Sequence, residues 1–166
     1  ILVNGLPMIH IELKRRGVDI REAFNQINRY QRDSFWAGCG LYEYIQVFVI
    51  SNGTYTKYYS NTTRNLHIKT GTKKTANTFE FTSYWADQKN NKISNLDDFS
   101  EVFLAKCKLG KMISQYMVLI ASEQKLLIMR PYQIYAVNAI MDCINENRGN
   151  GYIWHTTGSG KTMTSF

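Results

Sequence analysis

The sequence lacks several features that mark common protein classes. It has three cysteines, which are odd in number, far apart and without metal-ligand spacing, so neither a disulfide framework nor a cysteine-ligated metal site is indicated: Cys39, Cys107 and Cys143. No apolar run approaches the roughly 20 residues of a membrane-spanning helix. Internal repeats and low-complexity tracts are also missing. We therefore expect a cytoplasmic protein with reduced thiols and no contact with a membrane.

Acidic residues are outnumbered, since 13 Asp and Glu accompany 20 Lys and Arg and leave a formal net charge of +7. Most of the excess lies between positions 61 and 92, where basic residues exceed acidic ones: Arg64, Lys69, Lys73, Lys74, Lys89 and Lys92 against Glu80 and Asp87. A basic surface attracts the phosphates of nucleic acids. A solvated loop explains the same charge, so both interpretations stay open.

The chain is long enough for one ordinary domain or for parts of two, with 166 residues of which 44% are hydrophobic. Residues 1–3 start in the middle of a predicted strand, and the chain stops four residues after Thr162, before a helix could be complete. We expect the chain to be a segment of a larger protein.

The most informative motif is WHTTGSGKT at residues 154–162, which follows the apolar run Gly151–Trp154. A glycine-rich loop between a strand and a helix offers backbone N–H groups, a lysine and a hydroxyl to a nucleoside triphosphate with Mg²⁺. Lys161 would then reach the outer phosphates and Thr162 would bind the metal. A flexible Gly/Ser loop is the alternative. His155 replaces the first glycine of the usual pattern, so the motif is either a family-specific variant or a loop of another shape.

Hydrophobic periodicity and turn residues predict alternating strands and helices. Asn4-Gly5 and Asn52-Gly53 indicate tight turns, and Asp19 starts a helix as its N-cap. We predict strands at 1–3, 8–14, 44–50, 54–59, 79–85 and 151–154, and helices at 19–35, 96–106, 110–117 and from 131 onward. Residues 60–78 are predicted as a polar loop, and the last helix as carrying one apolar stripe: Ile134, Val137, Met141 and Ile144.

A second candidate site lies in the first thirty residues. Glu12 and Lys14 share one face of a predicted strand, about 6.6 Å apart along it. Gln26 and Tyr30 are four apart on the following helix and therefore lie on one side of it. If this helix packs on the strand, the group can hold Mg²⁺ and orient a water against a phosphodiester. A solvated strand face and a packing role for Tyr30 are the alternatives, and we expect His10 to be a neighbour rather than a ligand.

Stretches in the same order resemble the restriction (R) subunit of type I restriction-modification enzymes over nearly the whole chain: IHIELKRRGVDIREAFNQINRYQ (9–31), VFVISNGTYTKYYS (47–60), FTSYWAD (81–87), RPYQIYAV (130–137) and GYIWHTTGSGKT (151–162). In this family a PD-(D/E)xK nuclease precedes a superfamily 2 motor that translocates duplex DNA. The resemblance implies an α/β fold, with a nuclease-like mixed sheet and flanking helices followed by the start of a RecA-like P-loop motor domain. We expect a nuclease-like domain at 1–92 without its N-terminal part, connecting helices at 93–129, and a truncated motor domain at 130–166.

The resemblance also implies roles for single residues. Glu12 resembles the metal-binding carboxylate and Lys14 the catalytic lysine, while Gln26 and Tyr30 match a Q-x-x-x-Y motif associated with DNA contact. The residues expected to bind ATP are Gln133, which resembles the glutamine that reads adenine, Gly158, Ser159, Gly160, Lys161 and Thr162. Mg²⁺ is expected at Glu12 and at Thr162. A histidine is usual in this family at the place of His155.

Two parts of the family pattern are missing. The nuclease aspartate would lie on the strand before the Asn-Gly turn, hence before Ile1, and Asp19 comes too late in the chain for that role. The Asp-Glu box and the arginine finger of the motor would lie beyond Phe166. We therefore expect this segment alone neither to cut DNA nor to hydrolyse ATP.

The leading hypothesis is an ATP- and Mg²⁺-dependent double-stranded DNA endonuclease and translocase subunit of a type I restriction-modification system. Its partners would be duplex DNA and the specificity and modification (methyltransferase) subunits. One alternative is a DNA-binding module with a degenerate nuclease fold that does not cut. Another is a different P-loop ATPase or helicase whose N-terminal part is an adaptor.

Overall fold

The computed structural model describes residues 1–35, 40–61, 79–122 and 125–164, apart from the side chains of Thr162 and Met163. Its strands are β1 Leu2–Val3, β2 Leu6–Pro7, β3 Ile9–Leu13, β4 Val47–Ser51, β5 Thr56–Ser60, β6 Trp85–Ala86, β7 Lys92–Ile93, β8 Met117–Ile120 and β9 Lys125–Ile128. Its α-helices are α1 Ile20–Tyr30, α2 Leu96–Phe103, α3 Lys106–Gln115, α4 Pro131–Asn145 and α5 Lys161–Thr164. The fold is mixed α/β, as predicted. Within the described ranges, every helix is too short or too polar to cross a lipid bilayer.

The central sheet has the strand order β3-β4-β5. Strand β3 runs parallel to β4, with Ile9 opposite Val47 and Glu12 opposite Ile50, and β5 returns antiparallel to β4. A parallel pair needs a crossover connection, and α1 lies within it. The Asp19 carboxylate caps α1 by accepting a hydrogen bond from the backbone N–H of Arg21 at 2.9 Å, so the predicted helix start is confirmed.

Both faces of the sheet are covered, which explains why all five residues of β4 are buried. Helix α1 covers one face, where its apolar side chains pack on those of the strands: Ile20, Ala23, Phe24 and Ile27 on Phe48, Ile50 and Tyr59. The other face packs on side chains from later in the chain: Ile9, Val47, Val49 and Tyr58 on Trp85, Phe99, Phe103, Leu109 and Met112. The two clusters are the core of the described chain.

Residues 93–129, predicted as connecting helices, contain α2, α3 and a β8–β9 hairpin. The rings of Phe99 and Phe103 stack at 4.7 Å, and Phe103 lies 4.9 Å from the ring of Tyr58 on β5. The buried Tyr58 hydroxyl donates to the carbonyl of Met129 at 3.1 Å. This segment therefore contributes to the same core as the sheet, while the division into three domains stays a prediction.

The two turns are confirmed. Asn4 and Gly5 both have positive φ, 50° and 83°, between β1 and β2. Gly53 has a φ of 82° in the loop between β4 and β5. In that loop the Asn52 side chain accepts from the backbone N–H of Tyr55 at 2.8 Å and donates to the carbonyl of Val18 at 2.7 Å. Asn52 therefore ties the β4–β5 loop to the segment that precedes α1.

The predicted strand at 79–85 is wrong for most of its length. Residues Phe79–Phe81 form a 3₁₀ turn, which the Thr82 hydroxyl stabilises by donating to the Phe79 carbonyl at 2.7 Å. Only Ser83, through a single bridge to Tyr58, and β6 have strand pairing.

Other boundaries also differ from the prediction. The first helix is α-helical to Tyr30 and continues as a π-helix over Gln31–Phe35, and a 3₁₀ turn at Leu41–Tyr44 delays β4 to Val47. Residues 151–154 are not a strand, because no described strand pairs with them. Residues 62–78, which include most of the predicted basic loop, and Cys39 lie outside the described residues. Cys107 and Cys143 are free thiols.

The apolar stripe predicted on the last helix packs on the core only at its first two members, since Val137 is half-buried against the same cluster as Ile134. Ile134 is fully buried in α4, whereas Met141 and Ile144 are 49% and 66% exposed. The helix itself starts at Pro131, as predicted, with proline in its first turn.

Replacing Phe103 by alanine should lower the free energy of unfolding by about 3–5 kcal/mol, because the side chain is fully buried between Tyr58, Trp85 and Phe99. Urea unfolding of the chain measures the loss. Val102→Ala is the matched control, since this neighbour on α2 is 41% exposed and should change the stability by less than about 1 kcal/mol. Equal effects of the two substitutions would contradict the packing of α2 on the sheet.

Candidate functional site

Glu12 lies on β3 and Lys14 directly follows the last residue of that strand, and their side chains meet on one side, as the alternation predicts. The Lys14 Nζ donates to the Glu12 Oε1 at 3.0 Å. The side chains are 26% exposed for Lys14 and 14% exposed for Glu12, so a ligand can approach the pair from solvent. In the described sheet β3 is an outer strand, and Glu12 lies on the face that α1 covers.

His10 is the nearest neighbour of this pair on the strand. Its Nε2 lies 3.6 Å from the Glu12 Oε2 and has no hydrogen-bond partner among the described residues. The rings of Tyr30, Phe35 and Phe48 surround the imidazole, with centroids at 6.1, 5.3 and 6.2 Å. Burial lowers the pKa of His10 below its usual value, although the Glu12 carboxylate raises it. The imidazole is therefore packed among aromatic rings beside the carboxylate.

Helix α1 packs on the strand, as the candidate site requires, but it places its two predicted residues differently. Tyr30 lies next to His10 and 5.6 Å from the ring of Phe35, within the aromatic group that borders Glu12. The Gln26 side chain accepts a hydrogen bond from Arg29 one turn later on the same helix. Tyr30 thus has a packing contact, and the DNA-contact roles of both residues stay predictions.

Glu12 is the carboxylate that this site offers to a divalent cation. Mg²⁺ takes carboxylate oxygens and is usually bound through one or two carboxylates together with waters and phosphates. Within residues 1–35, 40–61, 79–122 and 125–164, no three His, Cys, Asp or Glu side chains gather around one point. The donor chemistry of Glu12 fits Mg²⁺. Asp19 does not add to the site, because its carboxylate is the cap of α1.

The glycine-rich segment forms a turn before α5. Gly158 and Gly160 both have a φ of 77°, a conformation that favours glycine. Lys161 is the first residue of α5, and its side chain is exposed. The side chain of Thr162, predicted as a metal ligand, lies outside the described residues. The backbone of the segment therefore has the glycine-dependent turns that a phosphate-binding loop needs.

The start of α4 holds this loop through one carbonyl. The Tyr132 hydroxyl and the Gln133 Nε2 both donate to the Ser159 carbonyl, at 2.9 and 3.1 Å. The Gln133 Oε1 accepts from the backbone N–H of Arg130 at 2.8 Å, which closes the first turn of α4. The predicted glutamine and the predicted loop are thus in direct contact. Sequence analysis did not predict the contact of Tyr132 with the loop. The position of Tyr132 next to Gln133 in the first turn of α4 was the feature that indicated it.

A cavity of about 460 Å³ opens beside this loop. Gln133 and residues 158–160 form its polar side, and Val118, Leu127 and Ile128 of the β8–β9 hairpin form an apolar wall. Its volume lies in the range of small-molecule sites. His155, which precedes the loop, packs against Tyr132, with ring centroids 5.9 Å apart.

Comparisons with known proteins match both halves of the chain. A family model described as the N terminus of the type I restriction enzyme R protein matches residues 1–67, and one described as the res subunit of type III restriction enzymes matches residues 126–166. These two regions contain the two candidate sites.

Curated relatives are similar over all or most of the chain. The endonuclease subunit of a type I restriction enzyme of Staphylococcus aureus (strain COL) is 49% identical over all 166 residues, as is one from Staphylococcus saprophyticus. The endonuclease subunit of the EcoprrI enzyme of Escherichia coli is 50% identical over 141 residues, 85% of this chain and 42% of that relative. The chain spans only 16% of the length of each staphylococcal subunit. The resemblance to the R subunit that the sequence predicted is confirmed.

Gly160→Ala should weaken the loop more than Gly158→Ala does. Both positions have the same positive φ, but a Cβ at Gly160 would lie 2.6 Å from the Gln133 Nε2, whereas one at Gly158 has open space. We expect each substitution to cost about 1–2 kcal/mol of backbone strain, and Gly160→Ala to displace Gln133 from the Ser159 carbonyl as well. Nucleotide affinity of the full-length subunit, measured for both variants, checks this. Equal losses would show that the contact of Gln133 with the loop is unimportant.

Proposed function

We propose that this chain, a homologue of the endonuclease subunits of type I restriction enzymes, is part of an ATP- and Mg²⁺-dependent subunit that cuts and translocates double-stranded DNA. The central sheet with α1 would be a nuclease unit of the PD-(D/E)xK type. The segment from α4 to α5 would begin a RecA-like motor. The relatives are named as endonuclease subunits, and that name supports the nuclease half.

The contact between Lys14 and Glu12 is the observation that carries the nuclease proposal. The Lys14 ammonium donates to one carboxylate oxygen of Glu12 at 3.0 Å, so a carboxylate that would bind a cation and an amine that would contact a phosphate lie side by side. When bound, Mg²⁺ supplies Lewis-acid polarisation of a phosphoryl oxygen and lowers the pKa of water. Lys14 would stabilise the negative charge that develops on the phosphate in the transition state.

The nucleotide half rests on the contacts around Ser159. Gln133 has both ends of its amide engaged, one by Arg130 and the other by the loop. The amide keeps a second N–H and a second oxygen lone pair, which would bind an adenine in the adjacent cavity without releasing the loop. Lys161, exposed at the start of α5, would reach the outer phosphates.

The proposed partners follow from the same similarity. The relatives are named as subunits of type I restriction enzymes. We propose that the full-length protein works with specificity and methyltransferase subunits, and that base-specific recognition of DNA belongs to those partners.

Lys14→Ala in the full-length subunit, assembled with its partners, should reduce DNA cleavage by about 100-fold or more, because one charge-stabilising group is lost from the transition state. DNA-stimulated ATP hydrolysis should stay at the wild-type rate. Lys161→Ala should remove both activities, since cleavage depends on translocation. Plasmid cleavage and phosphate release measure the two outcomes.

Lys111→Ala is the control for both substitutions, because this lysine of α3 is exposed and is not among the residues that line the cavity beside the loop. Normal cleavage by the Lys14→Ala variant would refute the nuclease assignment. A wild-type assembly that binds DNA and hydrolyses ATP without cutting would favour the non-cleaving DNA-binding module instead.

A further inference from the structure

Beyond the two candidate sites, three cations gather over two aromatic rings at the β5 side of the central sheet. The Lys57 Nζ lies 4.3 Å from the ring centre of Phe79 and 4.7 Å from that of Tyr84. The Arg21 guanidinium lies 4.9 Å from Phe79, and the Lys92 Nζ lies 5.5 Å from Tyr84. These five residues are the cation–aromatic cluster.

The sheet places this cluster on the same face as Glu12. Glu12 is the direct partner of Ile50, and Ile50 is the direct partner of Lys57 on the next strand. Directly opposed residues of neighbouring strands project to the same face. Two strand spacings separate Glu12 from Lys57, which is about 10 Å, or about three base-pair rises of duplex DNA.

The cluster is held in place by the protein rather than free in solvent. Lys57 is half-buried, and its Nζ donates to the Thr82 hydroxyl at 3.0 Å. That hydroxyl donates in turn to the Phe79 carbonyl at 2.7 Å, so the lysine and the ring beneath it are positioned by one residue. Arg21, in the first turn of α1, and Lys92, on β7, flank it with exposed side chains.

The positive charge of the cluster has no balancing anion in the part of the chain that the structure describes. Among the residues that the structure describes, none of the three cations has a carboxylate within ion-pair distance. Burial lowers the pKa of Lys57, and the charges of Arg21 and Lys92 lower it further. Three cations so close together repel one another, and an anionic ligand with several charges would relieve that repulsion.

We propose that the cation–aromatic cluster binds the phosphate backbone of duplex DNA beside the bond that the Glu12–Lys14 site would cut. This assignment rests on the proposed function, because it takes Glu12 as the reference point for the cut. It adds a contact at the N-terminal end of α1, whereas Gln26 and Tyr30 lie in the second half of that helix. Backbone contacts position a duplex without reading its sequence, which suits a subunit that does not select the site.

The test is the salt dependence of binding between the full-length subunit and a duplex of arbitrary sequence. Each phosphate contact adds about 0.9 to the slope of log affinity against log salt concentration. Lys57→Gln should therefore reduce the slope by about one, and the triple variant with Arg21→Gln and Lys92→Gln by nearly three. The affinity lost between about 50 and 200 mM salt should shrink by about 3- to 4-fold for each contact removed. Fluorescence anisotropy of a labelled duplex provides the measurement.

Lys108→Gln is the matched control. Lys108 is also half-buried and lies 4.7 Å from the ring centre of Trp85, but it projects from α3 on the opposite side of the sheet. This control should leave the slope unchanged, and Lys57→Arg, which keeps the charge, should preserve it. If Lys57→Gln fails to fold, Arg21→Gln and Lys92→Gln alter exposed side chains and test the same surface.

The results separate this proposal from the proposed function. A normal slope for the triple variant, in a subunit whose wild-type form cuts DNA, would overturn the cluster and leave the nuclease intact. A reduced slope together with normal cleavage by Lys14→Ala would support the DNA contact and refute the nuclease. A Lys108→Gln slope reduced as much as that of Lys57→Gln would also overturn the proposal, because it would show a non-specific effect of charge.

Discussion

The pairing of β3 with β4 is the constraint on which the candidate nuclease site depends. Side chains alternate along a strand, so a shift of one residue in this pairing would move Glu12 and Lys14 beneath α2 and α3 and bring Ile9 and Ile11 under α1. Two different apolar layers hold the register. The side chains of Phe48 and Ile50 pack on α1. Those of Val47 and Val49 pack on the opposite layer, which contains Phe99 and Phe103. Packing on both faces thus decides where the polar residues of an outer strand lie.

Charge is arranged differently at the two edges of the sheet face that carries Glu12 and Lys57. At β3 the carboxylate of Glu12 and the ammonium of Lys14 neutralise each other, which suits a position where a cation and a phosphate must both be received. At β5 the positive charges of Lys57 and its neighbours contact aromatic rings and a hydroxyl, and no acid pairs with them within the described ranges. Such support holds a cation in place without cancelling its field, so an anion can still bind it. The face therefore combines a neutral pair with a positive flank.

Sequence analysis predicted correctly the features that are set by residues close together in the chain. Alternation over residues 8–14 placed Glu12 with Lys14, and Asp19 marked the start of α1, because strand faces and helix caps are local properties. The β8–β9 hairpin was missed, since strands of four residues in a segment of mixed pattern carry little periodic signal. The strand predicted at 79–85 is wrong for most of its length, because a hydrogen bond of the Thr82 side chain stabilises a 3₁₀ turn at Phe79–Phe81. Hydrophobic periodicity does not indicate such a bond. The cation–aromatic cluster draws on residues from 21 to 92, and only tertiary structure brings them together.

The central claim is that Glu12 and Lys14 form a site for a divalent ion beside DNA, and the position of a bound ion tests it most directly. Anomalous diffraction from crystals of the full-length subunit with duplex DNA and Mn²⁺ would locate that ion. The account predicts a peak about 2 Å from a carboxylate oxygen of Glu12, with the Lys14 ammonium next to a backbone phosphate. A map in which Mn²⁺ occupies other carboxylates while Glu12 remains bound only to Lys14 would contradict it.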